Sequence, residues 1–273
     1  SDTGCMNPNE PSRPAEGLIP YGVQHPFWSD GATKERWLAL PDGETIEIDA
    51  QGDWLLPIGS VLIKQFSLGS QLLETRLFMR HEDGNWAGYS YAWNEDGTEA
   101  TLLVGSARRE FGEFEWQYPS RAECLQCHTS AAGGTLGLET AQLNGTHEYV
   151  EGSAHQLLTL EHIGLIDLGT EPSELPALVP RTEGAESARS LLHVNCGSCH
   201  RPVSTGGGNL DLRWDQDLDQ MGICGLPPEH GDLGVSSALL LAPGEPSRSV
   251  LSLRMHATDH SRMPPVASTI VDT

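Results

Sequence analysis

The chain has 273 residues, enough to bury more than one core, and its glycine, proline and apolar contents exclude a fibrous or disordered protein. Its 38 acidic residues against 16 basic ones give a formal net charge of -22, which excludes the positive surface that nucleic-acid binding requires. The longest apolar run, around Leu239 to Ala242, falls far short of the ~18 residues of a membrane span, so no transmembrane segment is expected.

Ser1 opens a polar stretch with no basic or apolar leader, which reads as a mature chain whose signal peptide has been removed. Residues 1–30 are rich in Pro, Asn and Ser without apolar periodicity and predict an irregular N-terminal arm carrying Cys5. Residues 31–118 change character, with short runs rich in β-branched and aromatic residues: Thr45 to Ile48, Ser60 to Phe66, Thr75 to Met79 and Trp86 to Trp93. Asp42-Gly43, Asp83-Gly84 and Asp96-Gly97 supply turns between them, so the segment predicts a β-rich domain of six or more strands.

After Pro119 the strands are expected to stop. Residues 119–180 hold a first Cys-x-x-Cys-His run, Cys124, Cys127 and His128, then a glycine-rich loop at Ala132-Gly133-Gly134. A helical stretch from Gln156 to Ile163 follows, with Leu157, Leu160 and Ile163 on one side, and then a proline-rich linker from Thr170 to Pro180. Residues 181–273 form the last predicted domain. A helix from Glu183, with Ala188, Leu191, Leu192 and Asn195 at helical spacing, runs into a second Cys-x-x-Cys-His run, Cys196, Cys199 and His200. Pro243 to Leu251 predicts a turn and short helix, and Met263 follows 63 residues beyond His200 in Met-Pro-Pro.

Two cysteines separated by two residues and followed at once by His present two thiols to the haem vinyl groups and an imidazole to the iron. A lone Cys-x-x-Cys also suits zinc or thiol redox chemistry. Two complete copies, with no spare pair to finish a zinc ribbon, point to two covalently bound haem c groups, each with its iron. Thioether attachment in bacteria follows export, which places the protein in the periplasm or outside the cell. In that compartment the two cysteines left over, Cys5 and Cys224, are expected to form a disulfide.

The prolines of Met263-Pro264-Pro265 stiffen their loop and remove competing backbone donors, so Met263 is the expected distal ligand of iron 2, with Met255 as its competitor. No methionine lies between His128 and Ser190, so a ligand for iron 1 from its own segment would be His147, His155 or His162, and His162 on the helical stretch is favoured. His25, Met79 and His81 remain open, as does a five-coordinate iron. Asp211, Asp215, Asp217 and Asp219 lack the glycine and glutamate of an EF-hand loop and read as a solvated acidic face.

From the haem-bearing helix to Met263 the chain resembles a class I cytochrome c. That likeness implies a helix on the far side of Met263, where only ten residues remain, so either the chain is truncated or a partner supplies that surface. More widely, the run Tyr21 to Trp37 with Phe27-Trp28-Ser29-Asp30-Gly31-Ala32, then Pro57 to Lys64, Tyr89 to Asn94, Tyr118 to Cys124, Leu136 to Asn144 and His193 to Cys196, resembles a family of bacterial dihaem c-type cytochromes of unassigned role. The resemblance implies electron transfer beside other redox proteins. A fainter likeness is to β-sheet monohaem cytochromes in which a lysine can cross-link to the haem, and it would single out Lys64.

The expected fold class is therefore α+β, a β-rich N-terminal domain followed by mainly α-helical c-type haem units. The leading expectation is an exported electron carrier that exchanges electrons with redox partner proteins; the acidic excess reads either as solubility or a saline habitat, or as a face that steers a basic partner. The alternatives are a dihaem oxidoreductase acting on peroxide or small nitrogen compounds at an open haem 1, and a subunit of a larger multihaem assembly or filament. No catalytic side chain is singled out.

Overall fold

The computed structural model describes residues 3–112, 114–204, 206–266 and 268–272. The chain forms two compact units from alternating segments: Ser1–Gln24, Gly31–Leu125 and Gly137–Leu178 in one, His25–Asp30, Gln126–Leu136 and Val179–Thr273 in the other.

The first unit opens with β1 (Met6–Asn7) and β2 (Glu10–Pro14), which pair as a hairpin. Its centre is an antiparallel sheet of six strands: β3 (Ile19–Pro20), β4 (Thr33–Ala39), β7 (Val61–Leu68), β8 (Gln71–Arg80), β9 (Trp86–Trp93) and β10 (Ala100–Leu102), in the spatial order β10-β9-β8-β7-β4-β3. A small pair, β5 (Glu47–Ile48) with β6 (Trp54–Leu55), lies between β4 and β7 in the chain, and β11 (Ala107–Phe111) pairs with β12 (Phe114–Tyr118) after β10. The strands fall on the apolar runs, and the register explains why those runs are nearly continuous. Trp37, Ile63 and Leu77 stand opposite one another on one face, and Leu38, Leu62 and Phe78 on the other. Both triplets are buried, the first with Cys5 and Leu18 of the arm packed against it. A sheet covered on both sides loses the clean polar alternation of a half-exposed one.

The arm is more ordered than expected. Gln65 Nε2 donates to the Ser12 carbonyl at 3.0 Å, and β3 serves as the sheet's edge. Residues 137–178 also belong to this unit. Leu138, Leu143, Leu157 and Leu160 join Trp54, Leu62 and Phe78 in one buried cluster. At about 1.5–3 kcal/mol for each such side chain removed from water, these four leucines make the segment inseparable from the sheet's core. Leu143 is carried by α2 (Thr140–Leu143) and Leu157 and Leu160 by α3 (Gln156–His162), Leu138 preceding α2, with a further hairpin, β13 (Thr146–Tyr149) and β14 (Gly152–His155), between the helices. Strands therefore do not stop at Pro119. The expected linker is a fastened strap instead: Asn144 Nδ2 donates to the carbonyls of Pro172, Leu175 and Pro176, and Leu178 N to that of Ala141.

The second unit overturns the expectation of mainly α-helical haem units. Across the whole described chain the five α-helices are short, and strand exceeds helix, 27% against 17%. The longest helix is α4 (Ala185–Cys196), and the only other one wholly in this unit among the described residues is α5 (Val250–Met255). Between them the chain runs as turns, because breakers such as Gly206-Gly207-Gly208, Gly222, Gly225 and Pro227-Pro228 leave no run long enough for a stable helix. Leu212, Met221 and Ile223 make its core, with Cys196, Leu240 and Leu251 packed against them. No helix among the described residues is long and apolar enough to cross a membrane.

Candidate functional site

The second cysteine motif begins where α4 ends. This helix buries Ser187, Ser190 and His193 rather than the expected stripe of Ala188, Leu191, Leu192 and Asn195, of which Ala188 is exposed and the rest half-buried. The buried polar face is satisfied. Ser187 Oγ accepts from Thr182 N, Ser190 Oγ from Val179 N, and His193 Nδ1 from Trp214 N. Asn195 Oδ1 accepts from Trp28 N at 2.9 Å, and the Asp30 carboxylate accepts from the backbone of Thr269 and Ile270 at 2.8 to 2.9 Å. The Phe27 to Asp30 run thus ties α4 and the C-terminal segment into one unit.

Beyond Cys196 the backbone turns tightly, with Cys199 N and His200 N both donating to the Cys196 carbonyl at 3.0 and 2.9 Å. This turn sets Cys196, Cys199 and His200 on the wall of one cavity of about 590 Å3, within the usual range for a small-molecule or cofactor site. Met255 and Met263 line the same cavity, as does His230, which the sequence reading did not single out. Met263 is held by its own N–H, which donates to the Arg254 carbonyl at 3.0 Å. The Arg254 guanidinium braces the same loop through the carbonyls of Ser261 and His230. The short helix expected before Met263 is α5, preceded by a single 3-10 turn at Pro246–Arg248.

The Cys196 thiol is not set up as a nucleophile. Burial, and then the neighbouring Cys199, push the Cys196 thiol up to about 12. A redox-active Cys-x-x-Cys depends instead on a depressed thiol pKa, commonly at a helix N-terminus, whereas Cys196 ends its helix. Burial also pulls the His200 imidazole down, opposed by the Gly207 backbone, so the ring stays neutral near pH 7 and can ligate a metal. Its Nδ1 is buried without a well-aligned hydrogen-bond partner. Two thiols, a neutral imidazole and two thioethers around an apolar cavity fit a covalently attached haem, with His200 and either methionine as the groups that could hold its iron.

The first motif rides on α1 (Arg121–Cys127), which starts with a reciprocal cap: Glu123 Oε2 accepts from Ser120 N and Oγ, and Ser120 Oγ from Glu123 N. The Ser-x-x-Glu spacing just before Cys124 is the signal that would have marked this start. Cys124 lies in the first unit, packed on the strand β9 where a Cβ on Gly88 would come within 2.8 Å of its sulfur. Cys127 and His128 belong to the second. His128 Nδ1 donates to the Gly134 carbonyl at 2.9 Å, and since a carbonyl can only accept, the lone pair of the neutral ring is on Nε2. The glycine-rich loop thus supplies the carbonyl that orients this imidazole.

Several expected residues fall elsewhere. His162 ends α3 on the face of Leu158, and both are exposed, because the buried side of that helix is Gln156, Leu157 and Leu160. Met79 points to the sheet face of Trp37, Ile63 and Leu77, opposite the one bearing Cys124, and His81 is exposed with Nε2 3.0 Å from the Tyr89 hydroxyl. His25 is buried with Nδ1 on the Val179 carbonyl at 3.1 Å. Lys64 sits in the sheet centre between Arg36 and Arg76. Of the two cysteines expected to pair, Cys5 is half-buried against the sheet of the first unit and Cys224 is exposed in the second, each a free cysteine. Asp211 is buried in a bidentate pair with Arg213, while Asp215, Asp217 and Asp219 are exposed. No protein-family model, curated protein or solved structure matches the chain, so these motifs and this cavity carry the functional argument.

Proposed function

We propose that the chain is an exported dihaem c-type cytochrome that passes electrons between redox partner proteins, one haem c on Cys124 and Cys127 with His128, the other on Cys196 and Cys199 with His200 and Met263. The observation that supports it most is that one apolar cavity gathers both cysteines and the histidine of a complete motif together with Met263 from 63 residues further on. Bound there, the haem supplies a one-electron couple. Cys196 and Cys199 would hold it through thioether bonds, His200 and Met263 would ligate its iron, and Arg254 would keep the Met263 loop in place. The apolar wall excludes water and, with a thioether ligand, favours the ferrous state and a raised potential.

Mass measurement of the matured protein should show two haem additions, and zinc in their place would end this reading. Met263→Ala should keep both haems, because the cysteines and His200 are untouched, yet lose the methionine–iron absorption band and bind exogenous ligands at iron 2. If the band survives in Met263→Ala and vanishes in Met255→Ala, the ligand is Met255.

A further inference from the structure

We infer that Gln126, Cys127, Cys199 and Arg201 form a junction that sets the two haem-attachment points side by side, making the chain a coupled two-electron relay rather than a carrier of two independent centres. This rests on the dihaem reading above. The cavity holding Cys196, Cys199 and His200 is also lined by Gln126 and Cys127, the second cysteine of the other motif. Cys199 Sγ is 3.5 Å from the Gln126 carbonyl oxygen. That oxygen is one peptide bond from Cys127, so standard bond lengths and angles limit the separation of the two sulfurs to about 9 Å.

A second contact pins the same two segments. Arg201, the residue after His200, donates through Nη1 to the Ala131 carbonyl at 2.9 Å and through Nε to the Gly197 carbonyl at 2.8 Å. One guanidinium therefore spans the turn of the second motif and the loop that follows the first. It acts as a positioning residue, since it reaches backbone and not the reacting atoms. Each thioether sulfur joins the outer edge of its macrocycle, so adjacent sulfurs mean adjacent conducting edges. With both groups bound, one electron moves from a ferrous to a ferric iron; no bond forms or breaks, no proton moves and no co-reactant is needed. At this spacing each iron also feels the other's charge, so the two titrate as a pair.

The test uses the matured full chain. Circular dichroism in the Soret region should show a two-signed couplet from the interacting haems, and the absorbance of each haem in a redox titration should respond to the state of the other. Arg201→Ala should retain two haems by mass and lose much of the couplet. Arg201→Lys should behave like Ala, because an ammonium keeps the charge but cannot span both carbonyls. A parent with two haems whose spectrum and titration are the sum of two independent centres overturns the junction, as does a couplet untouched by either Arg201 change. Fewer than two haems by mass overturns the dihaem reading itself, a result distinct from both.

Discussion

Gly206 shows how a single residue can govern the turn that presents the second Cys-x-x-Cys-His motif. Its N–H donates to the Cys199 carbonyl at 2.9 Å, and a Cβ built on it would lie 2.3 Å from that same oxygen and 2.9 Å from His200 Nδ1. The near neighbour is backbone, which cannot swing aside as a flexible side chain would. Gly206→Ala must therefore displace either the turn that presents Cys199 or the imidazole that follows it. The expected result is a protein with one haem by mass, or with two haems and an altered ligand band at iron 2. Gly105→Ala is the matched control, since a Cβ there meets nothing within 4 Å, and it should leave haem content and spectrum unchanged. A normal spectrum and full haem content in Gly206→Ala would show that the loop yields more readily than its geometry implies.

At the level of elements, the sheet buries one ion pair whose breaking would leave a charge uncompensated. Glu74 on β8 is fully buried, accepts both Nε and Nη2 of Arg76 at 2.9 and 2.8 Å, and accepts the Trp116 indole N–H from the β11–β12 hairpin at 3.1 Å. Glu74→Gln should cost about 3–5 kcal/mol in chemical denaturation, because it removes the charge that compensates a guanidinium in a water-poor site. Glu115→Gln, which breaks the exposed pair with Arg108, should cost less than about 1 kcal/mol. Equal costs would place Glu74 in a better-solvated site than its burial indicates. The same sheet shows where the sequence could be read. Trp86 to Trp93 is strand from end to end, since a run of aromatic and small residues bounded by turns has few other solutions. In residues 137–178 the helix from Gln156 was legible, but not that Leu143, Leu157 and Leu160 cover the sheet, because a short helix and a loop show no partner until the sheet is known. The helix α4 was legible from its spacing but not in its facing, as its buried side is held by serine and histidine hydrogen bonds that no apolar pattern announces.

For the molecule as a whole the dominant quantity is a formal charge of -22 on 273 residues. Such a charge produces a long-range negative field that draws cations toward the surface and repels anions, and salt collapses it as the Debye length falls from about 30 Å at 0.01 M to about 8 Å at 0.15 M. An electron carrier with this field should discriminate between reagents by sign. Oxidation of the reduced protein by a small cationic oxidant such as hexaammineruthenium should slow by about tenfold or more over that range, while oxidation by anionic ferricyanide should speed up. Stopped-flow rates against ionic strength read both slopes in one preparation, and matched driving force is unnecessary because only the slopes are compared. Opposite slopes would mean that the electron-exchanging edge lies under the net field, and so that basic proteins are the favoured partners. If both rates are flat, or both slopes share a sign, the edge is shielded from the acidic surface by local positive charge, and the partner's chemistry has to be sought in that local patch instead of in the overall balance of 38 acidic and 16 basic residues.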